Sequence, residues 1–286
     1  ENNIWLIISL DCGIRAVEQI DYAKNLGIDF IICDHHNPAN TVPNAIAILN
    51  PKQNDCNYPF KDLSGCGVAF KLIQGYCEYD NIQLEKITHL LDFLVVSIAA
   101  DIVPMVDENR VFSFFGLNIL NSSPRVGIKA LMDIAKRKDK WRISDIVFGI
   151  APRINAAGRL KHGKIAVELL IEDDNEKAML IAARIEKLNV ERRDIERIIT
   201  EEALKMVNTN KKSTVVYSSS WHKGVVGICA SRLIESYYKP TIVLSEKDGI
   251  LTGSARSVKG FDLYSTLKKC EEYLERFGGH MYAAGL

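Results

Sequence analysis

No stretch of this sequence approaches the roughly 20 consecutive apolar residues that a membrane-spanning helix needs. Its first residues carry no basic, signal-like segment. Seven cysteines occur, none of them in a CxxC pair. An odd number without close pairs argues against a disulfide framework and against a thiolate zinc site. It fits reduced thiols in a cytoplasmic protein. Neither sign of charge is in excess, with 36 basic residues against 36 acidic ones. A protein that coats long nucleic acid non-specifically is usually basic. The balance leaves room for a cleft that grips a few phosphates, or for a small-molecule enzyme. Internal repeats and low-complexity tracts are absent too.

What remains is an ordinary globular composition, 47% hydrophobic and 25% charged over 286 residues, long enough for two domains. The first part alternates short β-rich runs with helical patterns. "IWLIISL" (4–10) reads as a buried parallel strand and "RAVEQIDYAKNLG" (15–27) as an amphipathic helix. "IDFIIC" (28–33) and "AIAILN" (45–50) read as further strands. Such alternation predicts an α/β fold with a parallel sheet, right-handed crossovers and helices on both faces. Helical patterns follow over 64–79 and 84–103 and continue beyond.

From Asn175 to Val207 apolar residues recur at helical spacing among many charges. A continuous helix there would span on the order of 45 Å and is expected to link two domains. A second α/β pattern then begins. The expected organisation is a first domain over 1–174, a connecting helix over 175–207 and a smaller domain over 208–286.

In an open parallel sheet, ligands collect at the carboxyl ends of the strands. "ISLDCG" puts Asp11 at one such end, and "IICDHH" puts Asp34, His35 and His36 at the next. "SIAADIVPM" adds Asp101 at the end of an apolar run, just ahead of Pro104. Carboxylates with an imidazole, mostly oxygen donors, suit Mn²⁺ or Mg²⁺ better than a thiolate-rich zinc site. The bland alternative for Asp11 is a turn former or helix cap, and Asp101 is equally ambiguous alone. Together, at matching topological positions, Asp11, the Asp34–His36 triplet and Asp101 are more convincing than any one.

"DCG", "DHH" and "AADIVPM", in that order, resemble the second, third and fourth motifs of the DHH phosphoesterase superfamily. "LSGCGVAFKL", "PRINAAGRL", "WHKGVVGICASRL", "GSARSVKGFDLY" and "FGGHMYAAGL" resemble the RecJ family of single-strand-specific exonucleases in particular. The DHH triplet alone would identify only the superfamily; its combination with the later motifs is far more specific. The resemblance implies a DHH domain joined by a long helix to a DHHA1-type domain. It implies that Asp11 bridges two divalent ions, that His35 and Asp101 are further ligands, that Asp34 orients the imidazoles, and that His36 faces the scissile phosphate. The family's first motif, an aspartate-rich segment, is expected upstream of Glu1, and without it one ion would lose most of its ligands, so that the chain is expected either to bind metal weakly or to be inactive. An oligonucleotide-binding barrel is expected beyond Leu286.

For the second domain the resemblance implies a pocket for a 5′-phosphate, set across a cleft from the ions and built from Ser254, Arg256, Ser257, Gly278, Gly279 and His280. Arginine is a forked donor that matches phosphate, and a glycine loop can cradle one with its N–H groups; taken alone, Gly278–Gly279 reads as a helix C-cap. Arg153, Asn155 and Arg159 would contact the strand backbone, with a structural ion pair as the alternative for Arg153. Trp221 either stacks a base or packs under the following helix, and His222 is either a cap or a phosphate contact. The basic run "KRKDKWR" (136–142) is either a solvated helix end or an extension of the track. The implied activity is metal-dependent hydrolysis of single-stranded DNA from its 5′ end, in DNA repair and recombination, with single-strand-binding protein and a helicase as partners and no membrane. Two alternatives stand beside it: an oligoribonuclease or small-nucleotide phosphatase of the same superfamily, and a non-catalytic scaffold on the same fold.

Overall fold

The computed structural model describes residues 3–137 and 139–286. The chain divides into two compact units, the first formed by 1–152 and 168–182 and the second by 153–167 and 183–286.

The first unit opens with β1 (Leu6–Leu10), α1 (Val17–Asn25), β2 (Asp29–Cys33) and β3 (Ala47–Leu49). The three strands form a parallel sheet in the order β1-β2-β3, with Leu10 opposite Cys33 and Cys33 opposite Leu49. This alignment brings the carboxyl ends of all three strands to one rim. The expected buried β1 is corrected by the structure. Among the described residues it is an edge strand, and Ile8 and Leu10 stay half exposed because nothing pairs with or covers that side.

Helices α2 (Gly65–Tyr79), α3 (Leu91–Asp101), α4 (Asp107–Ser122) and α5 (Val126–Ala135) follow, with a 3₁₀ turn over Leu84–Leu90. Cys33, Leu63, Val68, Phe70, Leu94, Ile98 and Phe112 form the core they share with β2. Arg125 clamps the first turn of α3, its Nε and Nη2 donating to the two oxygens of buried Asp92 at 2.8 and 2.7 Å. That paired contact fixes the helix whose last residue is Asp101. Asp101 closes this helix, within the helical pattern expected over 84–103, and Ile102 turns the chain at φ 54°. In the basic run 136–142, Arg137 pairs with Asp145 at 2.7 Å and Trp141 is buried, while Lys138 lies outside the described residues. The short α6 (Ile143–Asp145) and a π-helical turn (Ile146–Ile150) lead without a break into α7 (Ala151–Leu160), followed by α8 (Lys164–Leu170).

The long charged pattern is one helix, α9 (Asn175–Met206), which contributes its first residues to one unit and the rest to the other. In the second unit, β4 (Thr214–Ser218), α10 (Val226–Tyr237), β5 (Thr241–Lys247), β6 (Ile250–Arg256), α11 (Leu263–Lys268), β7 (Gly278–His280) and β8 (Ala283–Gly285) make a five-stranded sheet in the order β4-β5-β6-β8-β7. The β5–β6 hairpin turns on Asp248 and Gly249, both at positive φ (56° and 79°), as a two-residue loop requires. Helix α11 ends at Lys268, and Gly278–His280 form an edge strand paired to β8 instead of a phosphate loop or a helix cap.

Candidate metal centre

β1 delivers Asp11 to the rim. Its N–H continues the ladder to Cys33 O at 2.8 Å, and its backbone then turns left-handed at φ 61°. Such a conformation costs a non-glycine residue of order 1 kcal/mol or more, and residues held this way concentrate at functional sites. The carboxylate comes to rest against the first residue of α2. A Cβ on Gly65 would fall 2.1 Å from Asp11 Oδ1, so only glycine leaves room there.

The segment after β2 is organised around Asp34, which is 1% exposed. One of its oxygens accepts the Ile14 N–H at 3.0 Å. The other accepts the N–H of His35 at 2.8 Å, the N–H of His36 at 3.2 Å and Nδ1 of His36 at 2.7 Å. Burial alone would raise its pKa; these four bonds together outweigh burial and hold the carboxyl below its usual range. Asp34 is thus an ionised acceptor, and His36 Nδ1 must carry a proton to reach it.

Nδ1 of His35 lies 3.1 Å from the carbonyl oxygen of Leu63. A carbonyl only accepts, so this nitrogen is protonated as well. In their neutral forms both imidazoles therefore present a lone pair at Nε2, the state that metal ligation requires, with the other nitrogen held by an acceptor. Nε2 of His35 lies 3.1 Å from Asp11 Oδ1. One ligating atom each from Asp11, His35 and His36 falls within 4.8 Å of the others. The hydrogen bond to Asp11 raises the His35 pKa, against the lowering effect of burial.

Asp101 stands outside this tight group but within electrostatic reach. Desolvation and then the Asp11 carboxylate push its pKa up, while His35 and His36 pull it down. Cys66, in the first turn of α2, is pushed up to about 12 by burial and by the same two carboxylates, so it is a neutral thiol. A carboxylate and two correctly protonated imidazoles, with further negative charge beside them, fit a divalent ion such as Mn²⁺.

Gly65 and Leu63 were not singled out in the sequence. One acts by having no side chain and the other through its backbone. The only signal was the run of small residues in "LSGCG" at a helix start.

In the second unit, Arg256 Nη1 donates to Ser254 Oγ at 2.7 Å and to the carbonyl of Ala255 at 2.9 Å. A Cβ on Gly227, in the first turn of α10, would sit 3.2 Å from Arg256 Nη2. Desolvation and the neighbouring Arg159 lower the Arg256 pKa, and desolvation followed by Arg192 does the same to Arg159. Arg159 Nη1 also donates to Gly224 O at 3.1 Å. Two guanidiniums that repel each other mark a place where an anion would be stabilised.

The remaining sequence-derived positions are dispersed. Arg153 is committed to Glu186, Nε to Oε2 at 2.7 Å, and so takes the ion-pair alternative. Asn155 is exposed on α7. Ser257 donates its hydroxyl to Phe261 O at 2.7 Å. Trp221 is 4% exposed, packed with Ile199, Val225 and Cys229, and its Nε1 donates to Glu202 at 2.7 Å. Its ring faces are covered, which corrects the base-stacking expectation in favour of packing. Nδ1 of His222 accepts the Gly224 N–H at 3.1 Å, as a cap does.

Residues 3–98 match the DHH family, N-terminal domain, and residues 210–286 match the DHHA1 domain. The chain is 42% identical to the single-stranded-DNA-specific exonuclease RecJ of Bacillus subtilis and 37% identical to that of Escherichia coli. These alignments cover 100% and 98% of the chain but 36% and 53% of the relatives, so it spans between a third and about half of their length. Its backbone superposes on a crystal structure of Thermus thermophilus RecJ in complex with Mn²⁺ with a TM-score of 0.89, at 29% identity, over 99% of this chain and 42% of that one. A structure of exonuclease RecJ bound to manganese gives a TM-score of 0.84 at the same identity, over 70% of its length. Residues 3–98 thus carry the N-terminal domain of the DHH family and residues 210–286 a DHHA1 domain, and over its whole length the chain is similar in sequence and backbone course to RecJ exonucleases.

Proposed function

We propose that this chain is the catalytic core of a divalent-metal-dependent exonuclease that hydrolyses single-stranded DNA from the 5′ end toward the 3′ end. The observation that carries the reading is the convergence of Asp11, His35 and His36, with Nδ1 of each imidazole held by an acceptor so that Nε2 is the nitrogen turned to the group. Asp11, His35 and Asp101 would hold Mn²⁺ or Mg²⁺. Ions bound there would activate a water and neutralise charge on the phosphoryl oxygens during in-line displacement. Asp34 keeps the His36 proton on Nδ1, so that Nε2 is left to join Asp11 and His35 around the ion or, once protonated, to donate to the scissile phosphate. Ser254 and Arg256, with Arg159 beside them, would grip a terminal phosphate through forked, charge-assisted bonds.

Likeness to RecJ over the whole chain supports this reading against a small-nucleotide phosphatase, and the converging ligand set supports it against a decayed scaffold. The organisation that goes with it is a DHH domain over 1–174, a connecting helix over 175–207 and a DHHA1-type domain over 208–286. A cytoplasmic role in DNA repair and recombination, beside single-strand-binding protein and a helicase, belongs to the same proposal; among the described residues no helix is long and apolar enough to cross a membrane. The deciding experiment is a manganese-supported assay of the full-length protein on 5′-phosphorylated single strands, long and very short. Mononucleotide release from long strands, abolished by Asp11→Ala, is expected. Activity confined to very short substrates, or untouched by Asp11→Ala, would overturn the reading.

A further inference from the structure

We propose that Asn50 is a positioning residue for the segment 34–36, holding His36 where its Nε2 can join Asp11 and His35. The inference rests on the metal-centre reading and adds to it a residue outside the recognised motifs.

Asn50 immediately follows β3 and is 3% exposed. Its Oδ1 accepts the Lys52 N–H at 2.9 Å, a two-residue side-chain turn with Pro51 at its corner. Proline fixes the corner, so this turn is rigid. Because the oxygen is spent on Lys52, the amide nitrogen must face the other way, and it donates to the backbone carbonyl of His36 at 2.8 Å. The orientation of the amide is therefore set by its partners.

That bond does something Asp34 cannot. The bonds from Asp34 to His36 join residues two apart and fix the ring relative to Asp34 only. Asn50 reaches the segment from a different strand, 14 residues away, and anchors its far end to the scaffold. A second outside contact, Arg15 Nε to Asn37 O at 2.9 Å, is solvent-exposed and easily replaced by water.

A cavity of about 350 Å³ adjoins Asn50, and Leu49, Asn50, Leu63 and Val68 are among the residues of its wall. The same wall carries Leu63, whose carbonyl holds His35. His35 is thus held through its ring by Leu63, and His36 through its backbone by Asn50.

If Asn50 were only a turn former, Asn50→Asp would be silent, since a carboxylate accepts the Lys52 N–H equally well. If it positions His36, the same change removes the donor and sets a carboxylate against a carbonyl. The test is Asn50→Asp in the full chain, with three readouts: the melting temperature, the His36 Nδ1–H resonance in ¹⁵N-edited spectra without metal, and manganese affinity from the electron paramagnetic resonance of the free ion. The expected result is a folded variant whose Nδ1–H resonance shifts or broadens and whose manganese affinity falls roughly 10- to 100-fold, as for other outer contacts to ligands. Added negative charge alone would tighten manganese, so a loss cannot come from charge. Should Asn50→Asp fail to fold, Asn50→Ser keeps a short acceptor for the turn without charge or reach, and the same changes are expected. An unchanged Nδ1–H resonance with manganese affinity within twofold of wild type would overturn the proposal. If the wild-type protein binds no manganese, it is the metal-centre reading that fails, and the metal-free resonance alone then decides whether Asn50 positions His36.

Discussion

The Asp11 carboxylate occupies the space that a side chain on Gly65 would need, with Oδ1 2.1 Å from the position of the missing Cβ. A rotamer change cannot relieve the clash, because the Asp11 Cβ, which the backbone fixes, would itself lie only 2.7 Å away. Gly65→Ala is therefore expected to displace Asp11 while leaving α2, which alanine favours, intact. Manganese affinity should fall by roughly tenfold or more, with a small change in melting temperature. Calorimetric titration beside a thermal melt checks both.

The protonation of His35 gives a pH dependence with a definite sign. Its hydrogen bond to Asp11 raises the imidazole pKa, so the metal-free pair contributes stability that is fully present below the ordinary histidine value and lost as pH rises through the raised one. Manganese must displace that proton. Apparent affinity should therefore climb about tenfold per pH unit below the raised pKa and level off above it. An affinity flat from pH 6 to 8 would contradict His35 as a ligand.

How much of this was legible in the sequence depends on how each residue acts. Asp11, Asp34, His35 and His36 act through side-chain chemistry at strand ends, and alternation of strand and helix was enough to bring them to one rim. The long helix α9 was legible because its period runs unbroken over 32 residues. Gly65, Leu63 and Asn50 act through an absent side chain, a carbonyl and a turn amide, none of which advertises its partner along the chain. Trp221 shows the opposite failure. Its residue type suits base stacking and core packing equally, and only the burial of its ring decides between them.

That burial makes Trp221 a control for the DNA reading. Trp221→Phe removes the bond to Glu202 and part of a packed surface, and should cost about 1–3 kcal/mol of stability. Affinity for single strands, measured well below the melting temperature, should stay within about twofold. A large affinity loss in a variant that remains fully folded would restore the stacking role.

Arg256 should behave in the reverse manner. Its guanidinium is held by Ser254 Oγ and the Ala255 carbonyl, close to Arg159, and no carboxylate is among the groups that set its pKa. Both of these hydrogen-bond partners are neutral, so they leave its charge available to an anion. Arg256→Lys retains the charge but loses the fork, and lysine matches a phosphate only as a point charge. If this residue grips a terminal phosphate, the substitution should raise KM for 5′-phosphorylated strands by about 10-fold, equivalent to about 1.4 kcal/mol, and leave KM for 5′-hydroxyl strands nearly unchanged. The ratio of the two KM values is the quantity to measure, because a general loss of DNA affinity or of fold would raise both together. A lysine variant that keeps the wild-type ratio would place the phosphate grip elsewhere in the chain.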